Sequence, residues 1–267
     1  MTSRRRQSGF TLTELMIGMV IGLLLLAGIL EILLGNRESF QVQQQQAALQ
    51  QNARVVSYFL DTIVAHAGYY PDTFLDTERV FRNGGDPLRG EDGAFDEVTI
   101  RFQSDGALND CAGSLVDEDV ISTNRFYVSD TDDDGNATLL CQRSLQQADG
   151  SAVKRADGSA VGDSYLPLIE NVSALSIRYG IDTDEDGSVD RYGDATSVKA
   201  VSDFDRVHSV HIQVVLASEG EVLTAARDAN EDPQFKQTLF DDDLELPSDR
   251  RQRVLVDRVI ALKNRLP

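Results

Sequence analysis

The sequence is poor in positive charge and in the motifs that build catalytic centres. Lys and Arg number 25 against 44 Asp and Glu, which gives a formal net charge of −19. So acidic a surface argues against direct binding of nucleic acid or of anionic lipid head groups. The chain also lacks a G-x-S-x-G motif and a glycine-rich phosphate loop, the signatures of common hydrolases and nucleotide-binding enzymes. These absences predict a protein that is not an enzyme and requires no cofactor.

One long hydrophobic run occurs, close to the N-terminus. From Phe10 to Leu34, about 25 residues, charge appears only at Glu14 and Glu31, and this length is enough for one membrane crossing. The basic residues Arg4 to Arg6 come before the run. The positive-inside rule therefore places the leader in the cytoplasm and the rest of the chain on the other side of the membrane.

The residues before this run point to unusual processing. A secretory signal has its cleavage site after the apolar region, so that the apolar region is discarded. Here the small residue at a boundary, Gly9, lies before it. The run from Arg4 to Glu14 resembles the leader of type IV prepilins. The resemblance implies cleavage after Gly9 by the prepilin peptidase, N-methylation of Phe10, and an assembly role for Glu14 as the fifth residue of the mature chain.

A carboxylate at membrane depth has a physical meaning of its own. It is expensive alone and usually indicates a partner. Cleavage would create a cationic amine on Phe10, and the amine of a neighbouring subunit could neutralise Glu14. Breaking such a pair leaves a buried charge uncompensated, at roughly 3–5 kcal/mol. The alternative is an uncleaved signal anchor in which Glu14 is incidental.

The helix is expected to continue beyond the membrane, over residues 35–68. Its apolar residues recur at spacings of three and four, as in an amphipathic helix. They are Leu49, Ala53, Val56, Leu60, Ile63 and Ala67. Gly68 provides a stop. The stripe is expected to pack on a soluble domain, although a coiled coil would use the same pattern.

Residues 69–267 are expected to form one β-rich globular domain, periplasmic or extracellular. Strands are predicted between turns rich in Asp and Gly. They are Glu97–Gln103, Arg125–Ser129, Ala137–Arg143, Ser173–Gly180, Val207–Ala217 and Arg253–Leu262. A long helix followed by a mainly antiparallel sheet predicts an α+β fold. Residues 148–161 contain Ala-Asp-Gly-Ser-Ala-Val twice, which indicates either a hairpin with two matched arms or a duplication inside a tolerant surface loop.

The cysteines and histidines suggest structural roles. Cys111 and Cys141 lie in the part predicted to be exported, where an even pair most simply forms a disulfide. It would close a loop of about 30 residues and add roughly 3–4 kcal/mol of stability. His208 and His211 are three residues apart in a predicted strand, so they should face opposite sides and cannot share one metal ion.

Two acidic segments follow the ligand spacing of calcium-binding loops. The first five-ligand set, at positions 1, 3, 5, 7 and 9 of a D-x-D-x-D-G-x-x-D string, is Asp182, Asp184, Asp186, Ser188 and Asp190. Position 12 is Gly193 instead of Glu, so the string resembles an isolated calcium loop more than an EF-hand. A weaker candidate set is Asp130, Asp132, Asp134 and Asn136. A solvated acidic turn is the alternative for both.

The C-terminal half carries a finer resemblance. The run Leu168–Asp182, in which Tyr179 and Gly180 lead into the acidic loop, resembles the central strand region of PilW-type minor pilins. The C-terminal run Arg253–Leu266, which ends in Ala261–Leu266, is similar to their final strand, with Lys263 in the place of the usual Arg. The chain is therefore identified as a type IV minor pilin of the PilW family, and the resemblance implies a type IV pilin-like fold.

The same resemblance implies a function and a set of partners. The expected function is to help initiate assembly of a type IV pilus, within a tip-associated complex of minor pilins. The expected partners are other minor and major pilins, the prepilin peptidase, the inner-membrane assembly platform and a PilY-type tip adhesin. The protein would sit in the inner membrane with its C-terminal domain in the periplasm, and then at the pilus tip on the cell surface.

Two alternatives remain open at this point. A J-type minor pseudopilin of a type II secretion system has the same kind of leader and a similar fold. A membrane-tethered, calcium-responsive binding module belongs to a different functional class and would keep its leader attached.

Overall fold

One long helix and one antiparallel sheet make up the computed structural model. It describes residues 11–71, 87–93, 95–129, 137–201, 204–221, 240, 246 and 249–265. The helix, α1, runs from Leu12 to Val64. It begins in a capping box, in which the Thr11 side chain accepts from the Glu14 amide and the Glu14 side chain accepts from the Thr11 amide, so two otherwise unpaired donors of the first turn are satisfied.

The first part of α1 extends away from the rest of the described structure. Its apolar stretch is long and hydrophobic enough to cross a membrane, judged by length and composition, and none of that stretch is buried. Leu15, Leu24 and Leu34, for example, are 55%, 68% and 63% exposed. The hydrophobic surface predicted for a membrane anchor is therefore present as a free helix.

The last part of α1 packs on the sheet along the predicted stripe. The buried helix residues are Leu49, Val56, Leu60, Ile63 and Val64, and Ala67 follows in the turn. Ala53 packs against the same core. The chain then turns at Gly68, which has φ +73°, and the Gly68 amide donates to the Arg101 carbonyl. The packed arrangement is thus confirmed.

Within the described residues the sheet has eight strands, all paired antiparallel. Their bounds are β1 Leu88–Glu91, β2 Glu97–Gln103, β3 Val120–Val128, β4 Ala137–Gln147, β5 Ser164–Ile181, β6 Arg191–Gly193, β7 Val207–Glu221 and β8 Arg251–Ala261. The order is β1-β2-β3-β4-β5-β7-β8, with β6 paired to β5 beside this path. A short helix, α2, spans Ala195–Val201, and a 3-10 turn spans Lys263–Arg265. The predicted α+β class is confirmed.

Strand β5 is the centre of the sheet. It pairs with β4 through its first part and with β7 through its second, with register shifts near Leu139 and between Val172 and Ala174. Asn171, between these pairings, has φ +61°, and irregular pairing of this kind bends a strand and increases its twist.

The β1–β2 hairpin curls back over β5. Asp96 takes part in this contact, since its amide donates to the Leu175 carbonyl and its carboxylate accepts from the Ile177 amide at 2.7 Å. Gly90 lies directly on Tyr179, where a Cβ would come 2.0 Å from the Tyr179 hydroxyl. The core lies between the curled sheet and the last part of α1.

Two local features of the globular part can be compared with the predictions. Cys111 and Cys141 form a disulfide with their Cα atoms 6.3 Å apart, and both residues are buried. The repeated hexapeptide forms two successive tight turns: the Gln147 amide donates to the Ser151 carbonyl, and the Arg155 amide donates to the Ser159 carbonyl. The hairpin with two matched arms is therefore wrong, because each copy closes on itself at its own Asp-Gly pair.

Candidate assembly and cation sites

Glu14 is presented at the membrane end of α1. The residue is exposed, and its Oε2 accepts from the Thr11 amide and from the Thr11 hydroxyl, each at 2.9 Å. A carboxylate in the first turn is also favoured by the helix dipole. The Thr-x-x-Glu spacing of Thr11 and Glu14 is the pattern of a capping box. The sequence prediction for Glu14 did not include this role. Gly9 and Phe10, the predicted processing residues, lie outside the described residues.

The first acidic loop brings three of its predicted ligands together. Candidate ligand atoms of Asp182, Asp184 and Asp190 all lie within 4.8 Å of one another. Asp182 is buried at the end of β5, while Asp184 and Asp190 are exposed. Asp186 is not part of this group, and its Oδ1 accepts from the Ser188 amide at 2.7 Å. Convergence of this kind is what a divalent cation requires.

The loop is also held by its own hydrogen bonds. The two Asp182 oxygens accept from the Glu185 amide at 2.7 Å and the Gly187 amide at 2.8 Å. Burial acts to raise the pKa of Asp182, but these amide donors outweigh it and lower the pKa. Asp190 accepts from the Thr183 hydroxyl and amide, and the hydroxyl bond lowers its pKa most. These hydrogen bonds therefore hold both carboxylates in place and favour their ionised forms.

Asp184 has a different environment. Its pKa is raised, first by the charge of Asp186 and then by that of Asp190. This is like-charge repulsion, which disfavours ionisation of one member of a crowded set. A bound cation would relieve the repulsion, and so would protonation.

The start of strand β7 and the residue before it contribute two further side chains next to the loop. Arg206 donates to the Thr183 carbonyl at 3.2 Å and pairs with Glu185. His208 lies with Nδ1 3.7 Å from Asp182 Oδ2. His211 contacts a different carboxylate, with Nε2 2.5 Å from Asp257 Oδ1. The two histidines do not converge, as predicted. Nothing in the sequence pattern indicated that His208 would lie near Asp182 across the β5–β7 pair.

The second acidic segment, with Asp130, Asp132, Asp134 and Asn136, lies outside the described residues. Its flanks are strands β3 and β4, and the Ser129 amide donates to the Thr138 carbonyl at 2.8 Å.

Comparison with known proteins identifies the family. Residues 4–30 match the prokaryotic N-terminal methylation motif. Residues 125–264 match the type IV pilus-assembly protein W family, PilW. The chain belongs to the PilW family. The match runs from β3 through the acidic loop and β8 into the C-terminal 3-10 turn, and so includes the run Leu168–Asp182 and all but the last two residues of the run Arg253–Leu266.

The identification settles the class of the protein. PilW members are structural pilins of the type IV pilus family, and the methylation motif covers residues 4–30, which include most of the exposed apolar part of α1. A type IV-like pilin from Thermus thermophilus is similar in structure, with a TM-score of 0.48 and 11% sequence identity over 82% of this chain and 100% of that chain. No curated protein matches this chain.

Proposed function

We propose that this PilW-family pilin helps to initiate type IV pilus assembly as a minor subunit of a tip-associated complex. Residues 1–9 would be removed, 10–34 would span the inner membrane, 35–68 would continue the helix, and 69–267 would form the periplasmic head. The observation that carries the proposal is the exposed apolar part of α1, with one carboxylate at its start. This surface cannot be left free once the protein leaves the membrane.

The proposed contact is between Glu14 and the Phe10 amine of another pilin. Each subunit then offers an acceptor to one neighbour and an amine to the next, and head-to-tail contacts of this kind generate open helical filaments. Other minor pilins, the major pilin and a PilY-type adhesin are the partners in this scheme. The prepilin peptidase creates the amine, and the inner-membrane platform brings the subunits together.

The test is a set of substitutions that separate charge from capping. Glu14→Gln keeps a side-chain oxygen that can complete the capping box but removes the negative charge. An unpaired buried charge costs roughly 3–5 kcal/mol, and about 1.4 kcal/mol is a tenfold change in an equilibrium. In a strain that lacks the native gene, Glu14→Gln should therefore reduce the number of pili per cell by more than about tenfold. Electron microscopy gives the count.

The control is Glu31→Gln, which alters the other carboxylate of the apolar run and should leave the pilus count unchanged. Mass spectrometry of the membrane-extracted proteins should show methylated Phe10 at the N-terminus in every case. Normal piliation with Glu14→Gln would reduce Glu14 to a helix cap. An intact Met1 would instead contradict the pilin scheme and favour the membrane-tethered binding module.

A J-type pseudopilin role in type II secretion is the runner-up. It uses the same helix and the same Glu14 contact, so the phenotype of the deletion separates the two. Loss of surface pili with normal protein secretion supports the pilus role. Loss of secreted proteins from the medium, with normal pili, supports the secretion role.

We further propose that the loop Asp182–Asp190 binds a divalent cation, with Ca²⁺ as the ion that an oxygen-only ligand set suits. The convergence of Asp182, Asp184 and Asp190 supports this. Titration of the detergent-solubilised full chain with CaCl₂ should show one saturable site. Asp184→Asn should weaken Ca²⁺ binding, because it removes the charge of one converging carboxylate. The Asp184 side chain is exposed, so this change should have little effect on the fold. Absence of saturable binding at millimolar Ca²⁺ would refute the site.

A further inference from the structure

Two backbone hydrogen bonds join the end of α1 to strand β2. The Gly68 amide donates to the Arg101 carbonyl at 2.9 Å. The Gln103 amide donates to the Tyr69 carbonyl at 3.0 Å. Residues 65–69 and 101–103 therefore form a contact, here called the α1–β2 joint, through which the anchoring helix is attached to the globular part.

The His66 side chain lies within this joint. Its ring packs edge-to-face on the Phe102 ring, with the ring centroids 5.3 Å apart. The residue is half-buried, and its Nδ1 atom is buried without a hydrogen-bond partner among the described residues. Buried polar atoms almost always have a partner. A proton added to this nitrogen would therefore have no acceptor within the described part of the joint.

The nearest charge does not offset this burial. Burial lowers the pKa of His66, and the negative charge of Asp105 opposes the effect only in part. The Asp105 carboxylate already accepts from the Ala107 amide at 2.9 Å and from the Tyr69 hydroxyl at 2.8 Å. These bonds lower the pKa of Asp105, the amide bond most, so Asp105 stays ionised over the range in which histidines titrate.

The other elements at the joint bring positive charge or none. Arg101 lies next to Phe102 on β2, and successive strand residues point to opposite faces, so Arg101 leaves the strand on the face away from the His66 ring. The C-terminal 3-10 turn packs against the helix end, where the Asn264 side-chain amide donates to the Ala65 carbonyl at 3.0 Å. Its Lys263 is exposed. Neither element supplies a carboxylate that would stabilise a protonated ring.

We propose that the α1–β2 joint is acid-sensitive and that His66 is its sensor. Protonation gives the ring a buried N–H without an acceptor and a charge that burial disfavours, so the joint opens more often in acid. Because the folded protein favours the neutral ring, this part of its stability is present above the ordinary histidine pKa and is lost as the pH falls below it. The proposal depends neither on the pilus role nor on the cation site.

Hydrogen exchange at the joint tests the proposal. NMR of the detergent-solubilised full-length protein gives the protection factors of the Gly68 and Gln103 amides between about pH 7.5 and 5.5, on both sides of the ordinary histidine pKa. In wild type these factors should fall by about fivefold or more towards acid, the scale of a buried donor left unpaired. In His66→Gln they should not depend on pH. The matched control His211→Gln, at the histidine paired with Asp257, should keep the wild-type loss.

Two results would overturn the proposal: wild-type protection that does not change with pH, or an equal loss in His66→Gln. If His66→Gln does not fold, as judged by circular dichroism, the ring signals of the three ¹³C-labelled histidines in wild type decide. His208→Gln and His211→Gln assign these signals. A His66 ring that titrates below the ordinary histidine pKa supports the proposal, and one that titrates at or above it refutes it.

Discussion

The two parts of helix α1 share one backbone conformation and differ in what surrounds them. From Leu12 to Leu34 the apolar side chains point in all directions, and Leu23, Leu24 and Leu25 are each more than half exposed. From Leu49 to Val64 one face is buried, with Leu60 only 1% exposed. A helix that is apolar all round needs an apolar environment on every side, whereas a helix with one apolar stripe needs a single packing partner.

The difference separates two kinds of stabilisation within one element. The upper part of α1, Leu49–Val64, is buried against the globular head of the same chain, so it contributes to the folding of that head. The lower part of α1, Leu12–Leu34, can be buried only by lipid or by other subunits, so it contributes to anchoring and assembly. Glu14 belongs to the lower part, and its proposed effect is on pilus number and not on the stability of the head.

The largest expected effect on stability comes from truncation of the buried stripe. Leu60→Ala removes a core side chain and leaves a cavity, so the free energy of unfolding of the head should fall by about 2–5 kcal/mol. Leu24→Ala, at a position 68% exposed, should change it by no more than about 0.5 kcal/mol. Urea denaturation of the detergent-solubilised proteins, followed by near-ultraviolet circular dichroism of the head tyrosines, measures both.

Equal losses of unfolding free energy in Leu60→Ala and Leu24→Ala would contradict this division, since the lower part would then be coupled to the folding of the head. A large loss in Leu60→Ala alone would support it. The methylation state of the N-terminus should be the same in both variants, because neither position is near Gly9.

The contrast between the two parts could be read from the sequence. The spacing of Leu49, Val56, Leu60 and Ile63 follows the helical period, and the composition of the lower part is that of a membrane span. The leader gave the class of the protein, and the match to the PilW family confirms it. These features are local in the chain, which is why pattern and composition were sufficient.

Features that depend on contacts between distant segments were not predictable in the same way. Strand β5 spans Ser164–Ile181, but the prediction began at Ser173, because Pro167, Glu170 and Asn171 interrupt the strand pattern. The structure accommodates them through a shifted register with β4. His208 reaches Asp182 only because β5 and β7 pair, and the sequence places these residues 26 positions apart.

The smallest expected effect concerns the upper end of α1, where the last strand joins the helix. Arg258 Nε donates to Asp61 Oδ1 at 3.0 Å, and this hydrogen bond raises the pKa of Arg258. Both side chains are well exposed, at 45% and 36%, so water screens the pair. A double-mutant cycle with Arg258→Gln and Asp61→Asn should therefore give a coupling free energy of only roughly 0.2–1 kcal/mol. A coupling free energy as large as the loss expected for Leu60→Ala would mean that charge, rather than the apolar stripe, fixes the helix to the head. Measurement of the same four proteins at increasing salt provides an independent check, because a screened ion pair weakens as ionic strength rises.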